Sequence, residues 1–369
     1  MKKHSIALLL LLVLLTGCGA KTEEAPWQTA YRETGKYLQE QDALSAGSVG
    51  GEWAVIGLSR AGLLSDETAQ SYEQTVEDYV KQAGSVRLHH AKSTENSRAI
   101  LGLTAAGYNA ANMAGVDLTA GLTDMAYLRA QGTNGPIWAL IALDCHGYDI
   151  PQCADGEEQT TCEGLVAEIL SYQCSDGGWA LMGDESDVDM TAMAIQALAP
   201  YYENAQVKAA VDAALTFLAG VQNADGTFSE IPGTDASAES TAQVIVALTA
   251  LGIDPTADSR FVKSGVSVVD ALCGFYVTGG GFRHLMADKT VDGMATEQGY
   301  YALAAYYRLT AGKTSLYDMS DVTITVTPDQ PAKPDAPRTG DESPVLVWMG
   351  MAALAGAAVL LMQNKKKRA

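Results

Sequence analysis

A pair made of a small residue and a leucine stands at six widely spaced positions along this chain, each inside an apolar, alanine-rich stretch. The intervals of 40 to 55 residues leave room for two helices and a loop in every unit. The six pairs are Gly57-Leu58, Gly102-Leu103, Ala142-Leu143, Ala197-Leu198, Ala247-Leu248 and Ala302-Leu303. A repeat of this length predicts stacked helix pairs that bury their apolar surfaces against one another.

Two kinds of helix alternate in this repeat. The stretches around the six pairs are apolar nearly all round, as residues 241–248 illustrate, so each predicts a helix buried on most sides. The segments between them carry an apolar stripe of period 3.6 on one side only. One stripe consists of Val207, Val211, Ala214, Leu215 and Leu218, and a second of Val262, Val266, Val269, Cys273 and Tyr276. Buried helices alternating with one-sided helices indicate an inner ring wrapped by an outer ring.

Six inner helices need six outer partners, and only five lie between them. Residues 27–44, with Trp27, Tyr31 and Leu38 on one face, supply the sixth and close the circle. We therefore predict an all-α fold, a single (α/α)6 toroid of about twelve helices over residues 26–318.

Both ends of the chain are predicted to be targeting and anchoring segments that lie outside the folded domain. Residues 1–20 read as a signal peptide, and Leu15-Thr16-Gly17-Cys18 resembles a bacterial lipobox with Cys18 as the lipidated residue; ordinary cleavage after Ala20 is the alternative. Residues 319–343 form a Pro-rich spacer. Residues 344–362 carry no charge and predict a transmembrane helix, followed by a basic cytoplasmic tail at 363–369.

Just before the predicted transmembrane helix stands Ala336-Pro337-Arg338-Thr339-Gly340, which resembles a Gram-positive sortase signal with Thr339 as the residue joined to the wall. Ala336 replaces the leucine of that signal, so a plain membrane anchor is the alternative. Either route predicts a cell-surface protein, held at the membrane or wall and facing outward. The net charge of −20 argues against nucleic acid as a partner, because a surface this negative repels phosphate backbones.

Three turns carry the resemblance to a known family. Gln173 and Gly177 precede Trp179, Gln222 and Gly226 precede Phe228, and Tyr276 and Gly280 precede Phe282. The first two resemble the Gln-x3-Gly-x-Trp repeat of squalene–hopene cyclases, and the third is a copy that lacks the Gln. The chain is thus similar to the prenyltransferase and terpenoid-cyclase toroid superfamily. A structural role is predicted for Gln173, Trp179, Gln222, Phe228 and Phe282, with a ligand pocket as the alternative.

The resemblance also suggests candidate catalytic residues. Class II terpene cyclases protonate an alkene with the middle carboxyl of Asp-x-Asp-Asp-Thr-Ala, and this chain has Asp187-Val188-Asp189-Met190-Thr191-Ala192. Asp189 would be the acid, but Met190 replaces the last Asp of the motif. The competing interpretation is that Asp187 or Asp189 caps the N-terminus of an inner helix.

Other members of the superfamily imply different chemistry. Protein prenyltransferases hold zinc with an Asp-x-Cys pair, and complement-type toroids form a thioester at Cys-Gly-Glu-Gln; neither motif is present in this sequence. A glycosidase with a helical toroid is a further alternative, because two carboxylates are enough for glycoside hydrolysis. The sequence does not indicate which two acidic residues they would be. Cobalamin carriers pair such a toroid with a small β domain, so the resemblance makes a corrinoid a possible ligand. No cofactor is predicted.

Four cysteines, Cys145, Cys153, Cys162 and Cys174, lie within 30 residues and predict two disulfides around the loop at 149–161. The alternative is a zinc ion bound by Cys145, His146 and Cys153. The prediction is that these residues bind no metal. Cys273 is predicted to be a buried thiol.

The sequence therefore favours an anchored, extracellular toroid that binds without catalysing. Its partner would be a small-molecule or lipid ligand, or a second surface protein. The first alternative is a terpene cyclase-type, lipid-modifying isomerase that uses Asp189 as acid. The second is a surface scaffold with no ligand.

Overall fold

The computed structural model describes residues 24–41, 44–47 and 49–325. Within them, an α-helix occupies almost every position at which the sequence predicts one. The helices are α1 Pro26–Gln39, α2 Glu52–Ala61, α3 Asp66–Ala83, α4 Thr94–Ala105, α5 Met125–Arg129, α6 Asn134–Asp144, α7 Cys162–Ser171, α8 Val188–Leu198, α9 Ala205–Val221, α10 Ala238–Ala250, α11 Val268–Cys273 and α12 Gly293–Thr310. Short 3₁₀ helices cover Ala110–Asn112, Leu118–Leu122 and Ala199–Tyr201.

The six helices that carry the small–leucine pairs form a closed ring. Helix α2 packs on α4, α4 on α6, α6 on α8, α8 on α10, α10 on α12, and α12 returns to α2. These helices are buried on most sides, as their composition predicts: in α10 every residue from Ser240 to Thr249 is buried. The described part of the chain is therefore a mostly helical toroid.

Outer helices cover the ring from the outside. Helix α1 contacts α11, α12 and α2, which places it where the sequence predicts the closing outer helix, although the helix ends at Gln39 rather than at Leu44. Helix α7 packs on α6 and α9, and α9 packs on α8. The apolar stripe of α9 is buried, as its period predicts.

Glycine in the small–leucine pairs is explained by close approach of an aromatic side chain from a neighbouring helix. A Cβ atom added at Gly102 would lie 2.2 Å from the Tyr72 hydroxyl oxygen of α3, and one added at Gly57 would lie 2.9 Å from Tyr300 Cδ1 of α12. Both distances are far inside van der Waals contact, so a larger residue would push the aromatic ring away.

One predicted helix is partly wrong. Residues 262–276 were expected to form a single outer helix, whereas Val262–Lys263 (β1) and Val266–Ser267 (β2) pair as an antiparallel hairpin and α11 begins only at Val268. The two turn residues, Ser264 and Gly265, have φ angles of 52° and 83°. A two-residue turn with positive φ at both positions matches the twist of a hairpin and cannot continue a helix.

The chain beyond α12 returns to the ring. Met319 N donates to the Cys145 carbonyl at 2.7 Å, and Thr325 N donates to the Gly107 carbonyl at 2.7 Å. The start of the segment assigned to the spacer is therefore hydrogen-bonded to the toroid as far as residue 325. The Met319 side chain is fully buried.

Candidate functional site

The first glutamine–aromatic turn is built as a joint between helix pairs. Trp179 is fully buried, and its indole Nε1 donates to the Ile169 carbonyl at 2.7 Å. Gln173 Nε2 donates to the Gly177 carbonyl inside the turn and to the Ala210 carbonyl of α9, both at 2.8 Å. The glutamine thus ties its own turn to the next outer helix.

The second and third turns repeat this construction with changes. Gln222 Nε2 donates to the Gly226 and Phe261 carbonyls at 2.9 and 3.1 Å, and Phe228 is fully buried. In the third turn Tyr276 stands near the start, and its ring packs edge-on against the buried Phe282 with centroids 5.8 Å apart.

A threonine in the following inner helix receives the backbone N–H of each buried aromatic residue. Trp179 N donates to Thr191 Oγ1 at 2.9 Å, Phe228 N to Thr241 Oγ1 at 3.1 Å and Phe282 N to Thr296 Oγ1 at 2.9 Å. Each threonine hydroxyl in turn donates to the carbonyl four residues earlier in its own helix. These contacts hold each buried aromatic residue between its own turn and the following inner helix, which is a structural role.

Asp187 and Asp189 lie at the N-terminus of inner helix α8 and have different surroundings. Asp187 is the N-cap, because its Oδ1 accepts from Met190 N at 2.6 Å. Asp189 does not cap the helix. Its Oδ1 atom is buried and has no hydrogen-bond partner among the described residues.

Burial raises the pKa of both carboxyls, to about 6 for Asp187 and about 7 for Asp189. Nearby acids such as Glu230 add to the shift of Asp189, and a hydrogen bond from the Ser240 side chain opposes it. A carboxyl group with a pKa near neutrality can carry its proton at physiological pH, which is the property that a general acid requires.

Two further acidic groups at this end of the ring were missed by the sequence analysis. Glu297, at the start of α12, is only 4% exposed; its Oε1 accepts from Gly50 N at 2.6 Å, and its pKa is raised to about 7, chiefly by burial. Glu239 of α10 accepts from His284 Nδ1 at 2.8 Å. No sequence signal separates them from the other acids, because their burial depends on ring closure.

The middle of the ring is filled by side chains. Trp53 and Trp138 lie with their ring centroids 5.1 Å apart, and Trp138 packs edge-on against Tyr317 at 5.8 Å. Next to them, Gln243 Nε2 donates to the Tyr301 hydroxyl at 2.6 Å and to Gln298 Oε1 at 3.1 Å.

A cavity of about 440 Å³ lies at the opposite end of the ring from Asp189, and we call it the ring cavity. Its walls come from the C-terminal ends of α6, α8 and α10 and from residues 315–318. The lining is mixed, with apolar side chains such as Ile141, Val246 and Leu316 beside the polar Asp144, Gln196 and Tyr317. A second cavity of about 330 Å³, lined by residues such as Leu38 and Leu58, lies elsewhere.

Three lining residues of the ring cavity each have a buried polar atom without a hydrogen-bond partner in the described residues: Asp144 Oδ2, Gln196 Oε1 and Tyr317 Oη. Gln196 is 5% exposed and Tyr317 is 8% exposed. The other oxygen of Asp144 accepts from the Tyr201 hydroxyl at 3.1 Å and from Cys162 Sγ at 3.7 Å. Burial raises the pKa of this carboxyl.

Residues 314–321, the cover segment, close the ring cavity and are held by two buried arginines. Arg60 is 3% exposed, and its guanidinium donates to Asp321 Oδ1 at 2.7 Å and to the Asp318 carbonyl at 2.8 Å. Arg308 donates to Asp321 Oδ2 at 2.6 Å. His146 Nδ1 lies 3.0 Å from the Met319 carbonyl oxygen.

The predicted disulfides are not formed in the structure, in which Cys145, Cys153, Cys162 and Cys174 are free thiols. Three of them contact oxygen atoms instead: Cys153 the Glu157 carbonyl at 3.6 Å, Cys162 the Asp144 carboxylate, and Cys174 the Tyr172 carbonyl at 3.9 Å. Cys145 is buried, which raises its pKa to about 12. Cys273 is a half-buried thiol whose pKa burial also raises to about 12.

The alternative zinc site at Cys145, His146 and Cys153 has no cluster to support it, since the described residues contain no group of three His, Cys, Asp or Glu side chains arranged to hold a metal. Cys18, Thr339 and the predicted transmembrane helix at 344–362 lie outside the described residues. Within residues 24–41, 44–47 and 49–325, none of the helices is both long enough and apolar enough to cross a bilayer.

A closed ring of helices with buried glutamine–aromatic joints defines the class of α/α toroids. The family model for the prenyltransferase alpha-alpha toroid domain matches residues 53–289, well over half of the chain, so the protein belongs to this family. The similarity predicted from the three turns is thereby confirmed at the level of the superfamily.

One solved structure similar to this chain is the ent-copalyl diphosphate synthase from Streptomyces platensis. The TM-score is 0.44 at 17% sequence identity, over 69% of this chain and 49% of that one. This chain therefore aligns with about half the length of that enzyme. No curated protein matches the sequence.

Proposed function

We propose that this toroid is a non-catalytic binding protein and that a small ligand occupies the ring cavity. The observation that carries the proposal is the ring cavity itself, about 440 Å³ in volume, whose lining combines apolar side chains with polar ones such as Asp144, Gln196 and Tyr317. A cavity with an apolar lining and a few polar groups is typical of a binding site for a small molecule.

The size of the cavity limits the ligand. A volume of about 440 Å³ falls in the range of pockets that enclose drug-sized molecules. A corrinoid is larger, so it would have to bind outside the ring cavity or against a second protein. The apolar lining from Ile141, Val246 and Leu316 favours a ligand with a hydrocarbon body.

The second candidate function is acid catalysis by Asp189, as in a terpene cyclase-type isomerase. The buried, unpaired Oδ1 and the pKa of about 7 favour it. Against it, Asp189 lines neither the ring cavity nor the second cavity. The ring cavity begins at Gln196, seven residues further along α8, which corresponds to about 10 Å of helix. A reacting alkene needs space next to the acid, so binding without turnover is the better supported function.

The location is proposed from the sequence alone. We propose that the protein is anchored in the cell envelope and that its toroid faces outward. The proposal is based on the predicted signal peptide at 1–20, the sortase-like signal at Thr339 and the predicted transmembrane helix at 344–362. In that setting a second surface protein is the alternative partner. A scaffold without a ligand is the remaining alternative, and it predicts an unoccupied ring cavity.

A fragment screen by saturation-transfer NMR tests the binding function on the full chain. Ala250, the half-buried last residue of α10, lines the ring cavity, and Ala250→Phe places a phenyl ring in it. Ala209→Phe is the matched control, because Ala209 is an exposed residue of α9 away from the cavity. We expect fragments that bind the parent and the control but not Ala250→Phe. If no fragment distinguishes these variants, the ring cavity is not the binding site.

A further inference from the structure

The exposed large apolar side chains of the described residues share one position in the fold. Each of them lies in a loop that leads from an outer helix into an inner helix. They are Val49, Val86, Leu181, Met182, Ile231 and Met286. A single exposed apolar side chain is normal on a protein surface, whereas several at one end of a fold are typical of a surface that binds a partner.

Three of these loops lie side by side. They comprise residues 180–187 before α8, 229–237 before α10 and 283–292 before α12, and we call them together the entry face. Val188 N, at the start of α8, donates to the Glu230 carbonyl at 2.9 Å, and Ala238 N, at the start of α10, donates to the His284 carbonyl at 3.0 Å. Each loop is therefore hydrogen-bonded to the start of the neighbouring inner helix.

The apolar side chains of the entry face follow the three loops. Leu181 and Met182 lie on the first loop, Ile231 on the second and Met286 on the third, and Met182 and Ile231 are 78% and 59% exposed. Because packed helices lie about 8 to 10 Å apart, these side chains extend over about 20 Å of surface. An α-helix of about four turns has this length.

The charge of the entry face is negative. The three loops contain seven acidic residues, three in the first loop and two in each of the others, against one arginine, one lysine and one histidine. Several of these acids act on the same carboxyl group, since the charges of Glu230 and Asp187 add to the effect of burial in raising the pKa of Asp189. A negative surface repels anionic lipid headgroups and attracts basic side chains.

We propose that the entry face is a docking surface for a partner protein, which it binds through a segment that carries apolar and basic side chains. The apolar side chains of that segment cover Met182, Ile231 and their neighbours, and its lysines or arginines face the surrounding acids. The entry face lies at the opposite end of the ring from the ring cavity, so this interaction is independent of ligand binding there.

The described chain begins and ends at the other end of the ring, which favours a separate partner over another part of this chain. Trp27, in the first turn of α1, packs edge-on against Tyr306 near the C-terminal end of α12, with ring centroids 5.0 Å apart. Thr325 N donates to the Gly107 carbonyl, just beyond the C-terminal end of α4. Both positions are separated from the entry face by the length of an inner helix.

Two labelled peptides with the same helical pattern test the charge of the partner. One is an 18-residue amphipathic peptide of leucine and lysine, and the other replaces every lysine with glutamate; a helix of this length extends about 27 Å, enough to span the three loops. Fluorescence anisotropy with the full chain at low salt is expected to show the lysine peptide binding about tenfold or more tightly than the glutamate peptide. The difference should narrow at high salt, because salt screens exposed charges.

A double variant, Met182→Ser with Ile231→Ser, tests the apolar contact. Both side chains are exposed, so the urea midpoint should stay unchanged while the lysine peptide binds about tenfold or more weakly. Val86→Ser is the matched control, because Val86 is an exposed apolar residue in the loop before α4, across the ring from α10. It should change the affinity by less than about twofold.

Two exposed glutamates on either side of α8 test the position of the charge. Glu185 lies on the entry face and Glu203 follows α8 at the other end of the ring. Glu185→Lys is expected to weaken binding of the lysine peptide by about threefold or more at low salt, whereas Glu203→Lys makes the same change in net charge and should alter it by less than about twofold.

Methionine oxidation by hydrogen peroxide, measured by peptide mass spectrometry, locates the bound peptide. The exposed Met182 and Met286 should be oxidised in the free full chain and protected by the lysine peptide, while the buried Met319 stays unreactive throughout. Protection of Met182 in the free chain would show that a second copy or another segment of this chain already covers the entry face, and would overturn the proposal. Protection by phosphatidylcholine vesicles in place of the peptide would instead identify a lipid-binding surface.

The peptide measurements can also reject the proposal outright. Equal binding of the two peptides, equal affinity of the parent and the double variant, or no binding of the lysine peptide each overturns it. None of these results bears on the ring cavity, which the fragment screen with Ala250→Phe tests separately.

Discussion

The Gln196 side chain donates both of its amide hydrogens to Gln243, at 3.1 Å to the carbonyl and at 2.9 Å to Oε1. This bond pairs inner helices α8 and α10 and leaves Gln196 Oε1 unpaired on a residue that lines the ring cavity. Gln243 in turn reaches Tyr301 and Gln298 of α12. The network that fills the middle of the ring therefore links the inner helices α8, α10 and α12 through side-chain amides.

The threonine joints should contribute measurably to stability. In Thr191→Val the N–H of the buried Trp179 loses its acceptor, and we expect the free energy of unfolding to fall by about 1 to 3 kcal/mol. Urea denaturation measures this loss. Thr216→Val is the control, because Thr216 is exposed on α9 and its hydroxyl contacts only its own helix; its effect should stay within about 0.5 kcal/mol. Equal losses in both variants would show that the joint adds nothing.

The buried carboxyls at the Asp189 end predict an unusual pH dependence. In the unfolded chain these groups titrate near pH 4, whereas the folded pKa is about 6 for Asp187 and about 7 for Asp189 and Glu297. Between these values the folded protein holds more protons than the unfolded chain, so stability falls as the pH rises from 5 to 8.

Asp189→Asn isolates one contribution to this pH dependence. We expect the variant to match the parent at pH 5 and to exceed its free energy of unfolding at pH 8 by on the order of 2 kcal/mol. Asp258→Asn is the control, because Asp258 pairs with Arg260 near the surface and its pKa is lowered. That change should cost at most about 1 kcal/mol at either pH. A loss of stability at pH 8 in Asp189→Asn would contradict the destabilising effect of burying the Asp189 carboxylate.

How much the sequence predicts depends on how local the determining contacts are. The positions of the six inner helices follow from apolar character on all sides, which each stretch carries within itself. Asp187 and Asp189 were equal candidates for the helix cap, and only the backbone geometry at Met190 N selects Asp187. The hairpin at 262–267 was missed because the positive φ angles of Ser264 and Gly265 override an apolar period that fits a helix equally well.

The ring cavity could not be predicted from the sequence. Its polar residues, Asp144, Gln196 and Tyr317, are far apart in the chain and meet only because the ring closes and the cover segment returns over it. The salt bridges of Asp321 with Arg60 and Arg308 depend on the same return. Nothing in the local pattern around residue 321 distinguishes it from the spacer that follows.

The cover segment should loosen when its anchor is removed. Asp321→Ala leaves the buried Arg60 and Arg308 without their shared carboxylate, and we expect a stability loss of about 1 to 3 kcal/mol, reduced by the partial exposure of Asp321. Hydrogen exchange of residues 314–321 should accelerate, with the Met319 amide as the clearest reporter. Asp212→Ala, which breaks the exposed pair with Lys208, is the control and should leave that exchange unchanged. Unchanged exchange in Asp321→Ala would mean that other contacts hold the segment.

Native mass spectrometry of the full chain, with a fragment that binds the parent, tests the central claim most directly. We predict one bound fragment on the parent and on Asp189→Asn, none on Ala250→Phe, and an unchanged fragment mass after prolonged incubation with every variant. That result places the ligand in the ring cavity and gives Asp189 no part in turnover. A fragment whose mass changes with the parent but not with Asp189→Asn would contradict the account and identify an enzyme that uses Asp189 as its acid.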